Sequence, residues 1–390
     1  MTTLHAARPD TVMGRALSAR AIALVEALGP HLVDPPRREL DLTTPETAPI
    51  PGPVRDAAEA ALDRGETHYT TRPGVTVLRE AIARQMTAEG FPTTADAMLI
   101  TNGGSEALYI ALQTLLAPGE RIVVASPAAP NVIAMIRFVG GVPISLPAAG
   151  GRGFLPSVEA IASADAVALL IASPSPVSGI AVSAGELEAI IAAAIARNQT
   201  VLLDRSLASA LYDPAAAPFG NPELGARIVT IGSFSTGYGL TGWRVGWLTA
   251  PAERIPRPRE LKQAMSICTT AVSQYAAMAM LDDPGGWLAA RRDAFARRRD
   301  AVLAQLQAAN LIPLAPDAYP ALLVDVRGVD GDDRRFAARL QAATGVIVEP
   351  GSIFGPATAG YIRLDLGVPS ETLQEGIARL AAFASQESQT

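Results

Sequence analysis

The sequence predicts an α/β protein: a large domain built on a mostly parallel β-sheet covered by helices, followed by a smaller α/β C-terminal domain. Three observations predict it. From Pro53 onward, apolar runs of strand length alternate with runs of helical periodicity. The strand runs, such as TVLLD and AVALLIAS, are almost wholly apolar, as strands buried on both faces are. The chain has 390 residues, 49% apolar and 18% charged, which is more than one small core holds.

The elements follow in order. Residues 1–50 read as an arm rich in Pro and Arg, with one helical stretch near ALSARAIALVEAL and a break at DLTTPETAPIPGP. This arm is expected to contribute to the smaller domain. Residues 51–285 read as the large domain. Helices VRDAAEAALDR and VTVLREAIARQMTAEG come first, then strand AMLIT, helix SEALYIALQTLL, strand RIVVAS, helix NVIAMIRFVG and strand VPISLP. The alternation continues through AVALLIAS, a helix over 184–196, TVLLDRS, RIVTIGS and VGWLTA. One long helical region is expected over about 258–307. Residues 286–390 read as the small domain, with ALLVDV, a helix near RRFAARLQAATG, VIVEPG, GYIRLDLG and a closing amphipathic helix over about 370–385.

Charge and composition narrow the partners. Thirty-two basic against thirty-eight acidic side chains leave a net charge of −6, no footprint for nucleic acid or an anionic membrane. A small anionic molecule is the expected partner. The opening MTTLHAARPD lacks the apolar core of a signal peptide, and no run approaches the roughly 20 residues that span a bilayer, so a cytoplasmic location is expected. The single cysteine, Cys268, excludes an intrachain disulfide and a cysteine-rich metal site; no metal is expected. Lys262 is the single lysine.

Two glycine patterns carry different weight. Gly237, Gly239 and Gly242 spell GxGxxG, but they lead into a strand, and about twenty residues on stands Lys262 where a dinucleotide fold needs an acid. The nicotinamide reading is set aside. In TNGGSEAL, Gly103 and Gly104 sit between a strand and a helix starting near Ser105, where free amides and the helix dipole suit a phosphate. Ser233, Ser235 and Arg244 add two hydroxyls and a guanidinium fork. Asp204 ends the strand TVLLD, and Arg363 lies on YIRLDL.

With DRGETHYTTRPGVTVLREAIA, TNGGSEAL, SPSPVSG, VIVEPGSIFG and YIRLDLG in this order, the chain resembles a fold-type I pyridoxal phosphate-dependent enzyme of the class I/II aminotransferase family over nearly its whole length. The resemblance implies an aspartate aminotransferase-like seven-stranded sheet and a homodimer. It also implies that Gly103, Gly104, Ser105, Ser233, Ser235 and Arg244 grip the cofactor phosphate, and that Tyr69 reaches it from the partner subunit. Asp204 matches the carboxylate that pairs with the pyridine nitrogen, and Arg363 the arginine that takes a substrate carboxylate.

The departures cluster at the chemical end of the same pocket. Thr236 stands where the family has its Schiff-base lysine, Pro176 where an asparagine meets the phenolic oxygen, Leu207 where a tyrosine assists, and Ala129 where an aromatic ring stacks. A threonine hydroxyl forms no imine, so ordinary transamination is not expected. Two residues are candidate stand-ins: Lys262, in a helical stretch, which is expected on the solvated surface, and His68 beside Tyr69, where ordinary members of the family also carry histidine. Arg205, after Asp204, either adds charge to the pocket or pairs on the surface. The leading expectation is therefore an aminotransferase-like enzyme acting on a small carboxylate-bearing or phosphorylated substrate by lysine-independent chemistry. It would hold pyridoxal phosphate (PLP) or pyridoxamine phosphate (PMP) non-covalently, or no cofactor. The alternative is a non-catalytic ligand-binding protein of the same fold.

Overall fold

The computed structural model describes residues 40–45, 49–148, 154–214 and 219–387. The helical stretch expected within the first fifty residues lies outside them. The described strands are β1 (Leu40–Asp41), β2 (Met98–Thr101), β3 (Arg121–Val124), β4 (Val142–Ser145), β5 (Ala168–Ala172), β6 (Thr200–Asp204), β7 (Val229–Ser233), β8 (Gly246–Thr249), β9 (Ile312–Leu314), β10 (Ala321–Asp325), β11 (Val346–Ile347), β12 (Glu349–Pro350) and β13 (Tyr361–Asp365).

Seven of them form one sheet in the order β2-β8-β7-β6-β5-β3-β4. From β4 to β7 every pair is parallel, as the alternating strand and helix pattern predicts. β8 departs from that pattern, running antiparallel to both β7 and β2. The reason lies in the connection: residues 234–245 form a turn with one short 3₁₀ segment, and a parallel crossover ordinarily needs a covering helix. The order reverses between β3 and β5, so the carboxyl ends of β3, β5, β6 and β7 open onto one crevice, the usual ligand position in such sheets. Apolar side chains on both faces, Val123, Leu169, Val201 and Leu203 on one and Ile122, Leu170, Leu202 and Ile231 on the other, join two separate cores.

The second sheet is antiparallel, in the order β12-β13-β10-β9. Beside it, β1 pairs in parallel with β11, and Leu40 and Leu42 enter the same core as Leu322, Ile362 and Ile377. The helix Trp287–Ala308 touches both bodies, with Leu288 in the large-sheet core and Phe295, Val302 and Leu306 in the other.

The helical region expected over 258–307 is three helices, Pro256–Met265, Ala271–Leu281 and Trp287–Ala308. Left-handed backbone at Ile267 (φ 61) and at Asp283, Gly285 and Gly286 (φ 44, 68 and 70) ends the first two and starts the third. Gly285 and Gly286 carried that signal in the sequence; Ile267, a β-branched residue, carried none.

Candidate functional site

The site is built at the carboxyl ends of β6 and β7 and at the start of the helix Gly104–Leu115. Gly103 caps that helix with φ 84, and a Cβ there would strike the Arg244 guanidinium. A Cβ on Gly104 would lie 3.1 Å from Ser206 Oγ and 3.2 Å from Ser233 Cβ. Gly246, opening β8, lies so close that its Cβ would collide with the Gly103 backbone. Only glycine lets these three segments converge.

Hydroxyls and a guanidinium surround this backbone. Ser233 Oγ accepts from Ser235 N at 3.1 Å. Arg244, itself left-handed at φ 53, donates through Nη1 to Thr241 O at 3.0 Å and Ser235 Oγ at 3.4 Å. Its Nη2 reaches Asn102 O at 3.4 Å, and among the described residues no carboxylate pairs with it. The guanidinium is thus held by neutral oxygens, with its positive charge unspent. Ser105 is exposed at the helix start. The arrangement brings together Gly103, Gly104, Ser233, Ser235 and Arg244 as the sequence suggested, and adds Ser206, which it did not.

Asp204 closes β6 beside them. Ser206 N donates to its Oδ1 at 2.8 Å. The residue keeps some open surface, yet protein atoms crowd its carboxyl. Burial pushes it above the ordinary carboxylate range, and the Ser206 bonds offset this only in part. Such a carboxyl gains most from a cationic ligand atom.

Arg205 does not enter this pocket. Its guanidinium lies 4.2 Å from the Phe91 ring and 2.7 Å from Glu89 Oε2, and it is buried, so neither a pocket-facing nor a surface position describes it. Successive residues leave a strand on opposite faces, which sends Asp204 to the crevice and Arg205 behind the sheet.

Lys262 corrects the expectation of a solvated surface lysine. Its side chain is 1% exposed, with Nζ 2.9 Å from Glu106 Oε2 and 3.0 Å from Ser266 Oγ. Ser266 Oγ donates to the other Glu106 oxygen at 2.7 Å, and Asn102 N donates to Glu106 at 2.6 Å. Burial alone would raise the Glu106 carboxyl; the bonds from Ser266, Asn102 and Lys262 outweigh it and hold the group below its usual value. The sequence hides this pairing because Glu106 and Lys262 are far apart along the chain.

The other positions singled out in the sequence fall as follows. Thr236 is half-buried in the turn after β7, where its carbonyl accepts from Gly239 N at 3.3 Å; its hydroxyl makes no hydrogen bond among the described residues. The neighbouring Gly237 carbonyl accepts from Tyr319 Oη at 2.8 Å. Leu207 packs in the core with Leu211, Ala129 caps the helix Pro130–Phe138, and Pro176 is half-buried. His68 is exposed and Tyr69 is 79% exposed, and neither bonds to the cluster within this chain.

Arg363 sits on β13 directly opposite Glu349 of β12. Its Nη1 forms an ion pair with Glu349 Oε2, Nη2 is 3.8 Å from Asp365 Oδ2, and Nε is buried without a partner. Its guanidinium lies 5.8 Å from the Phe354 ring, and the Phe354 carbonyl accepts from Ala128 N at 3.0 Å, tying this arm to the loop after β3. Glu349 escaped the sequence reading, since only the strand register brings it to Arg363.

Among the described residues no helix is long and apolar enough to cross a membrane. A family description, "Aminotransferase class I and II", matches residues 41–380. The chain is 32% identical to an arginine–pyruvate transaminase of Pseudomonas aeruginosa over 86% of this chain and 87% of that one. It is 30% identical to an aspartate/prephenate aminotransferase of Thermus thermophilus, with 97% of each covered. Its fold superposes on the aspartate aminotransferase from Thermus thermophilus with maleate at a TM-score of 0.83, with 27% identity, covering 98% of this chain and 100% of that one. The matched family description, the identities and the shared fold lead to one conclusion: this chain is a member of the class I and II aminotransferase family.

Proposed function

We propose that this chain uses the aminotransferase cleft to hold a pyridoxal-type phosphate without a covalent lysine link, and acts on a small substrate by lysine-independent chemistry. The observation that carries it is a pairing of opposites. An unneutralised Arg244 stands with Ser233, Ser235 and free helix amides, while the single lysine is locked against Glu106 and Ser266.

The residues present fit the phosphate and the ring nitrogen of PLP or PMP. The amides after Gly103, the hydroxyls of Ser105, Ser233 and Ser235, and the Arg244 fork would hold the phosphate dianion. Asp204, whose burial disfavours an uncompensated charge, would pair with a protonated ring nitrogen. Tyr69, exposed on this chain, would reach the phosphate of a second copy in a homodimer. The residues do not fit covalent attachment: on the family resemblance Thr236 takes the place of the lysine, a hydroxyl forms no imine, and its hydroxyl makes no hydrogen bond among the described residues. When bound, PLP supplies an electron-withdrawing ring that stabilises negative charge on a carbon joined to it. The chain's own part is to bind, orient and keep the Asp204 carboxyl paired.

Several charge-assisted bonds of about 1.5–3 kcal/mol each approach the roughly 8 kcal/mol of micromolar affinity before ordering costs are subtracted. A chain loaded with PMP should keep it in stoichiometric amount through dialysis, and a small-molecule substrate should change the absorbance of the bound cofactor. Failure to retain either cofactor form would overturn the binding reading. Retention with no spectral change on adding substrates would select the second reading, a non-catalytic binding protein, which the engaged state of Arg363 favours.

A further inference from the structure

Arg363, which the resemblance casts as the receptor of a substrate carboxylate, meets a carboxylate of the chain itself. Glu349 and Arg363 are direct partners across an antiparallel pair, with Pro350 opposite Ile362 fixing the register. Both side chains are only 14% exposed. Pro350 also restrains Glu349 to extended backbone, so the acid is aimed at Arg363 by the strand itself.

We propose that Glu349 closes the Arg363 end of the cleft to carboxylates, so that the ligand accepted there presents an uncharged group instead. The proposal rests on the ligand-binding reading above and names its substrate class. A carboxylate is gripped by two parallel N–H groups of one guanidinium. Here Nη1 is spent on Glu349, and Nη2 faces Asp365 Oδ2 at 3.8 Å. An incoming carboxylate would therefore meet one cation already flanked by two acids, in a half-buried place where water screens poorly. An amide or other uncharged polar group faces no such repulsion.

The test is calorimetric titration of maleate, and of its uncharged diamide, into cofactor-free wild type, Glu349→Gln and Glu349→Val. Glu349→Gln should bind maleate about 10-fold to 100-fold more tightly than wild type, the range that one charge-assisted bond spans. Adding Arg363→Met should remove that gain, and the diamide should show none of it. Glu349→Val repeats the comparison where the Gln variant does not fold. Wild-type binding of maleate as tight as that of the folded Glu349 variants would overturn the proposal, as would a gain that survives Arg363→Met. PLP titration of wild type, run in parallel, reads the phosphate cup separately, so failure of that reading leaves the maleate comparison intact.

Discussion

Two arginines of the candidate site, Arg244 and Arg363, are in opposite electrostatic states. Arg244 is propped by the neutral oxygens of Thr241, Ser235 and Asn102, beside the helix-start amides and the serine hydroxyls. Arg363 is neutralised by Glu349 across the strand pair and watched by Asp365. The same residue type thus stands without a carboxylate partner among the described residues in one place and as half of an internal ion pair in the other. What decides between them is the neighbour that the fold supplies, and the presence of an arginine at a matching position does not by itself tell which.

The largest effect is expected where the cup is anchored from behind. Lys262→Met leaves Glu106 charged and largely buried beside the start of the helix Gly104–Leu115. It should cost about 3–5 kcal/mol in chemical denaturation, with much of the loss recovered in the double variant with Glu106→Gln. The lowered Glu106 carboxyl also gives this term a pH signature. Its stabilisation is present above the ordinary carboxylate range and is lost as pH falls through the depressed folded value, so the wild type and Lys262→Met should converge in acid. Equal slopes at all pH values would remove the network from the account.

Next in size is the cup itself. Arg244→Gln should weaken PLP binding about 10-fold to 100-fold in an absorbance titration, by the loss of one charge-assisted pair, while leaving the maleate behaviour of the Arg363 end as it was. Coupled changes at both ends would break the contrast drawn between them.

Asp204→Asn sharpens the same contrast through pH. A folded carboxyl raised above its unfolded value costs stability as pH climbs from that unfolded value, and the cost levels off above the folded one. The empty Asn variant should therefore gain stability over wild type across that window, by about 1 kcal/mol for each unit of separation, yet bind PLP more weakly. An Asn variant that binds PLP as well as wild type would deny Asp204 its ring-nitrogen role. Smallest of all, Arg205→Ala should leave PLP affinity within about twofold while lowering stability by about 1 kcal/mol or more through the lost Phe91 stacking and Glu89 pair.

How much of this was legible in the chain follows the physics of range. The strand and helix alternation, the Gly103–Gly104 turn and the serines around Arg244 are local patterns, and periodicity or turn chemistry exposes them. The antiparallel turn of β8 depends on what residues 234–245 do in space, which their glycines blur. Glu106 with Lys262, Arg205 with Glu89, and Glu349 with Arg363 are pairs made by packing and register; a sequence prints their members but not their meeting. Ser206 was within reach, two residues past a strand-ending acid whose Oδ1 it caps, and a local side-chain-to-backbone turn was the signal.

The central claim is that the cup grips a phosphate ester with no protein amine joined to it. Saturating the chain with PLP, treating it with borohydride and weighing the intact protein tests that directly. The account predicts a visible absorption band before treatment and an unmodified chain mass afterwards. A chain heavier by one reduced cofactor, with the addition at Lys262, would contradict it.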